Sequence, residues 1–158
     1  MNEPAHLVAD EAAGEAPTRG LLDTNVVILR RWIDPSELPD EVAISVITLA
    51  ELSAGHHLVR EGDAYDVDSE RARRVEVLQR AEHEFDPIPL GTDAARVYGR
   101  LTAAVAAIGR TPRRRLADLL IAATAVAEGL PVYTTNPTDY AGLGEHVTVV
   151  PVTLPPKS

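Results

Sequence analysis

Residues 116–136 read LADLLIAATAVAEGLPVYTTN. The first part has helical spacing, with Leu116, Leu120, Ala123 and Ala127 on one predicted face, and Gly129 is the residue type that ends a helix in the left-handed conformation. Residues 131–134 then read as a short strand and 136–139 as a turn. A helix that hands over to a strand across so few residues is the building unit of an α/β domain with a mainly parallel sheet. Asp118 is the only charge between Leu116 and Val126. It sits near the start of that helix, where it either faces a pocket or offsets the helix macrodipole.

The same alternation extends toward the amino terminus. Residues 20–23 form a predicted strand ending at Asp23, and residues 25–32 a helix stopped by Asp34-Pro35. Residues 42–46 (VAISV) form a second strand, after which helical spacing resumes at Thr48, with Leu49, Leu52 and Leu58 as inward positions and Glu51 in the first turn. A strongly charged helix over about 69–84 has only the narrow stripe Val75, Val77 and Leu78, so it belongs at the periphery. Residues 85–90 are an extended, Pro-punctuated piece. Thr92 or Asp93 caps a helix to Ala107 that carries Ala94, Val97, Leu101 and Val105, is stopped by Gly109, and is the candidate dimer surface. Arg113 opens the helix that bears Asp118, and a last strand covers 147–150. The expected organisation is an acidic extension over 1–18, one domain over 19–152 and a short tail over 153–158.

Composition narrows the function classes. At 158 residues, with 45% hydrophobic and 25% charged residues, the chain has the make-up of one globular domain. No apolar run is long enough to span a bilayer and residues 1–18 lack a basic leader, so a soluble, cytoplasmic protein with no membrane partner is expected. The absence of cysteine excludes thiolate metal sites and thiol nucleophiles. A net charge of −9 argues against wholesale coating of nucleic acid. Local basic clusters remain at Arg30-Arg31, Arg71-Arg73-Arg74 and Arg113-Arg114-Arg115, and the only lysine is Lys157. The histidines have no metal-ligand spacing, and His56-His57, being adjacent, are not expected to share a helix face.

Asp23, Glu51, Asp118 and the Asn136/Asp139 pair all fall near the carboxyl ends of strands, the edge where parallel sheets bind ligands. Carboxylates gathered there repel one another unless a cation neutralises them, and Mg²⁺ or Mn²⁺ suits oxygen ligands. Each residue also has an ordinary reading. Thr48 and Glu51 fit a capping box, Asp23 a helix N-cap, Asp118 a dipole partner and Asp139 a turn brace.

Four segments taken together, LLDTNVVI (21–28), ISVITLAEL (44–52), LADLLIAATAVAEGLPVYTTN (116–136) and NPTDYAGL (136–143), resemble the acidic motifs of PIN-domain ribonucleases, specifically VapC-type toxins of bacterial toxin–antitoxin pairs. The resemblance implies an α/β/α sandwich around a short, mainly parallel sheet, Mg²⁺-dependent cleavage of RNA, a VapB-like antitoxin partner and a homodimer. Carried over by motif, Asp23, Glu51 and Asp118 match the first three acidic positions, and the fourth is open between Asn136 and Asp139. Asp23 and Asp118 would hold the metal, Glu51 would orient or deprotonate water, and Thr24 and Asn25 would contact phosphate or coordinated water. Arg113, Arg114 and Arg115 would guide the RNA backbone or form a solvated loop. Two other classes compete. A binding module on the same fold is suggested by Asn136 in place of an acid, and a doubly wound phosphatase would require a second acid beside Asp23 and a nearby lysine.

Overall fold

The structure, a computed structural model, describes residues 18–60 and 66–156; the expected extension over 1–18 lies outside them but for Thr18, as does Lys157. Four short strands, β1 (Arg19–Leu22), β2 (Glu41–Ala43), β3 (Val132–Thr134) and β4 (Val149–Pro151), form one parallel sheet in the order β2-β1-β3-β4. Five helices accompany it among the described residues: α1 (Thr24–Leu29), α2 (Val46–Gly55), α3 (Val67–Glu84), α4 (Thr92–Ala107) and α5 (Leu116–Glu128).

Strand side chains alternate between the two sheet faces, which makes the architecture three-layered. Leu21 and Val132 pack with Val97, Leu101 and Val105 of α4 and Leu119 and Ala122 of α5. Their neighbours Leu22 and Tyr133 join the opposite cluster with Val26 of α1, Leu52 of α2 and Ala81 of α3. Gly20 permits this layering, because a Cβ there would lie 2.3 Å from the Tyr133 ring. The chain leaves β1 toward β2 but enters β3 on the other side of β1, so the topological switch point lies between the carboxyl ends of β1 and β3.

Several expected boundaries move. The second strand stops at Ala43, since Ile44 and Val46 exchange backbone bonds with Ile88 and the Ser45 hydroxyl accepts the Ile47 N–H as the cap of α2. Thr48 and Glu51 therefore lie inside the helix, and no Thr48–Glu51 capping box opens it. Residues 85–90 contribute a single bridge, Ser45 to Ile88, because Pro87 and Pro89 have no N–H to donate. Gly91 caps α4; Thr92 and Asp93 are already helical, and Asp93 instead pairs with Arg96. The apolar stripe of α4, Ala94, Val97, Leu101 and Val105, lies in the core.

A 3₁₀ turn, Pro112–Arg115, precedes α5, since Pro112 suits a first helical position. Arg113 lies in that turn, and α5 itself opens at Leu116. The expected face of α5 is rotated. Leu119 and Ile121 through Ala125 are buried while Leu116 and Ala127 are exposed, because sheet and α4 cover the helix from more than one side. Gly129 ends α5 at φ 70°. A second 3₁₀ turn, His56–Leu58, exposes Leu58 and buries Val59 in its place, and its tighter winding brings the rings of His56 and His57 to 3.8 Å between centroids. No helix among the described residues is long and apolar enough to cross a membrane.

Candidate active site

Asp23 follows β1 at the switch point and caps α1. Its Oδ1 accepts the Thr24 N–H at 2.6 Å and its Oδ2 accepts the Thr134 hydroxyl from the end of β3 at 2.8 Å. Thr134 Oγ1 in turn accepts the Asn136 N–H. The ordinary reading of Asp23 as an N-cap is correct, and the same side chain is buried at the sheet edge, 4% exposed. Burial raises its pKa, against the lowering effect of the Thr134 and Thr24 bonds.

Asp118, in the first turn of α5, is pushed up to about 7, first by burial and then by the charges of Asp23, Asp139 and Glu51, with Arg115 opposing. Three carboxylates thus act on Asp118 in α5, although they come from the end of β1, from α2 and from the 3₁₀ turn Pro137–Tyr140. Glu51 is held by a relay. Thr24 Oγ1 donates to Glu51 Oε1 and lies 3.0 Å from Thr48 Oγ1. A hydroxyl has one hydrogen, so with Thr24 donating to Glu51, the buried Thr48 must donate to Thr24.

The two candidates for the fourth acidic position are placed differently. Asn136 is exposed, and its Oδ1 accepts the Thr138 hydroxyl, so it braces the turn. Asp139 accepts from Arg115 Nη1 at 2.8 Å and raises the pKa of both Asp23 and Asp118, so it, and not Asn136, is the acid of the cluster. Its expected role as turn brace belongs to Asn136.

The three consecutive arginines separate. Arg115 faces Asp139, while Arg113 and Arg114 are exposed. Arg110, which the sequence did not single out, donates to the Thr138 carbonyl and lines a shallow depression of about 470 Å³ with Thr111, Arg114 and Arg115. Asn25 is exposed on α1, and Thr24 is engaged with Glu51 and Thr48. On the other side a groove of about 430 Å³ runs from Thr24 and Glu51 past Leu52 and Ile28 to Trp32, rimmed by Arg31, Arg73 and Arg80. Trp32 is 53% exposed, with the Arg31 guanidinium 5.3 Å from its ring centre.

Tyr140 completes the site from below. The ring is in the core and the residue is 2% exposed, and its hydroxyl falls short of full hydrogen-bond geometry although it is near enough to Asp23 to lower that carboxyl's pKa. Burial and the fields of Asp23 and Asp118 push this phenol well above its usual range, so it stays protonated. An unsatisfied buried hydroxyl costs about 1–3 kcal/mol. Thr134 and Tyr140 both escaped the sequence reading, which placed Thr134 only as the end of a strand and Tyr140 only within the segment 136–143.

Among the described residues no three acidic or imidazole side chains close on one point as a finished metal cage. The donor set still fits a small hard cation. Mg²⁺ takes one or two carboxylates and keeps several waters, and Asp23 and Asp118 are two desolvated carboxylates, the charge of Asp23 helping to raise the pKa of Asp118.

Comparison with known proteins agrees with this geometry. The PIN domain family profile matches residues 21–141. The chain is 39% identical over 130 residues to ribonuclease VapC5 of Mycobacterium tuberculosis, covering 80% of this chain and 89% of the relative. It is 39% identical over 107 residues to ribonuclease VapC8 of the same species, covering 67% and 89%. The crystal structure of VapBC-5 from M. tuberculosis, a member of the VapBC family of toxin–antitoxin systems, superposes with a TM-score of 0.69 at 36% identity over 87% of this chain and 100% of that one. An acid-edged parallel sheet, a family profile over most of the domain and relatives at this identity converge: the chain belongs to the PIN-domain family, in its VapC branch.

Proposed function

We propose that the protein is the toxin ribonuclease of a VapBC-like toxin–antitoxin pair, and that it hydrolyses RNA phosphodiester bonds with a divalent cation held by Asp23 and Asp118. The observation that carries this reading is the convergence of Asp23, Glu51 and Asp139 on Asp118, four carboxylates from four parts of the chain at one switch point, with Arg110, Arg114 and Arg115 alongside. The ribonuclease names of the relatives support the activity.

Mg²⁺ or Mn²⁺, when bound, supplies positive charge for a phosphate oxygen and acidifies the attacking water. The remaining work falls to the chain. Asp23 is oriented by Thr24 N–H and the Thr134 hydroxyl, so that its free lone pairs face the site. Glu51, aimed by the Thr48–Thr24 relay, takes the proton of the attacking water as its oxygen bonds to phosphorus, and the opposite P–O bond breaks with the bonding pair going to the leaving oxygen, which is protonated from solvent. Asp139 keeps Arg115 at the cluster, and Arg113 and Arg114 bind phosphates to either side of the scissile bond. Single-stranded RNA suits such a site better than duplex.

The antitoxin partner rests on the solved VapBC relatives. Its basic group would enter the acidic cluster in place of the cation. The apolar groove from Glu51 to Trp32 would take an adjoining apolar segment of it, and the fluorescence of Trp32, the only tryptophan, would report that contact.

The test is cleavage of a mixed RNA pool by wild type and Asp118→Asn, with Mg²⁺, with Mn²⁺ and with chelator. Wild-type cleavage that needs metal and is lost in the variant is the expected result. If neither protein cuts RNA while both bind it or an antitoxin, the chain is a binding module.

A further inference from the structure

Among the described residues, one buried side-chain polar atom has no hydrogen-bond partner, the Tyr140 hydroxyl, and it lies at the floor of the acidic cluster. Packing does not require it. The ring sits in the apolar cluster of Leu101, Leu119 and Leu143, where a phenylalanine would fill the same space with no polar atom to bury. A phenol held protonated is a donor, and the charged groups that act on it are acceptors, Asp23 first, which its hydroxyl also reaches, and Asp118 second.

Asp23 has room for it. Each carboxylate oxygen has two lone pairs, and the Thr24 N–H and the Thr134 hydroxyl use one on each oxygen. A third donor on Asp23 leaves one lone pair for a cation and fixes the plane in which it points. Resting on the metal-dependent reading above, we propose that Tyr140 is a positioning residue whose hydroxyl, within reach of the Asp23 carboxylate but short of full hydrogen-bond geometry, completes that bond when a divalent cation binds, and so sets the affinity of the site. Donors behind a metal-binding carboxylate commonly act in this way, and their loss costs about 10–100-fold in affinity.

Tyr140→Phe tests the assignment with Mn²⁺ as the probe. Three measurements apply: Mn²⁺ titration by calorimetry, melting in chelator, and the ultraviolet tyrosine difference spectrum on adding Mn²⁺. The variant is expected to melt no lower than wild type in chelator, to bind Mn²⁺ about tenfold more weakly and to lose the Mn²⁺-induced tyrosine signal. Mn²⁺ affinity equal to wild type overturns the proposal and leaves the nuclease reading intact. If wild type itself binds no Mn²⁺, the metal reading falls and this proposal with it.

Discussion

The two halves of the acidic cluster are built differently. At the strand ends, Asp23 is buried and fixed by a backbone N–H and by Thr134, a partner 111 residues away in the chain. On the helices, Asp118 is held by no hydrogen bond comparable to these, and its pKa is set by burial and by neighbouring negative charge. The sheet edge is preorganised, whereas the helix side stores electrostatic repulsion that a cation would relieve. Fixed ligands determine where a metal sits; repelling ligands determine how strongly it is drawn in.

The sharpest way to break the contrast is Asp23→Asn. Asparagine still caps α1 and keeps the size of the side chain, so the variant is expected to fold, while the fixed half of the proposed cation site is lost. RNA cleavage should fall by about 10³-fold, the loss of several kcal/mol of charge stabilisation. A melting temperature at or above wild type would confirm that the loss is chemical and not structural. Retained cleavage would remove Asp23 from the site. Gly20→Ala attacks the scaffold of the same half. Its Cβ would meet the Tyr133 ring at 2.3 Å, and overpacking of this kind costs about 1–3 kcal/mol. A thermal melt checks it, and an unchanged melting temperature would mean that β1 and β3 shift to make room.

The helix half predicts a pH effect. Asp118 moves from an ordinary 3.8 to about 7 in the folded protein. An acid raised on folding binds its proton more tightly in the folded state, so stability is intact below about 4 and is lost as pH rises through about 7. In chelator, therefore, Asp118→Asn should melt with wild type at pH 4 and above it at pH 8. Asp118 is partly exposed and screened, so a gap of about 2–4 °C is expected. Mg²⁺ should close that gap by stabilising wild type alone; a gap that does not change with pH would mean that Asp118 is not the titrating group.

Much of this was legible in the chain. Gly129 and the strand after it place Asp118 and the 136–139 turn, and the strand end at Leu22 places Asp23, because local signals for helix stops and strands are strong there. The start of α2 was not legible, because Ser45 and Thr48 are both good caps and the choice is made by Ile88, which holds Ile44 and Val46 extended from across the fold. The Asn136/Asp139 choice was closed in the same way. Both sit in one turn, and only Arg115, brought in by the 3₁₀ turn before α5, draws Asp139 into the cluster. Tyr140 is the extreme case, since the sequence reading placed it only within the segment 136–143, while the position of its hydroxyl depends on the end of β1, α5 and its own turn at once.

The smallest effect should come from Thr48, where the two halves meet. Its hydroxyl donates to Thr24, whose backbone N–H holds Asp23 and whose hydroxyl holds Glu51. Thr48→Val keeps the shape and removes the donor, so Glu51 keeps its bond to Thr24, but Thr24 loses the contact that fixes its rotamer. One hydrogen bond of this kind is worth about 1 kcal/mol, so kcat should drop about fivefold while KM for RNA stays level, and Thr48→Ser should restore it. A purely structural role for Thr48 would instead lower the melting temperature of the valine variant without touching kcat. That split decides whether the relay belongs to the catalytic geometry or only to the packing of α2 against α1.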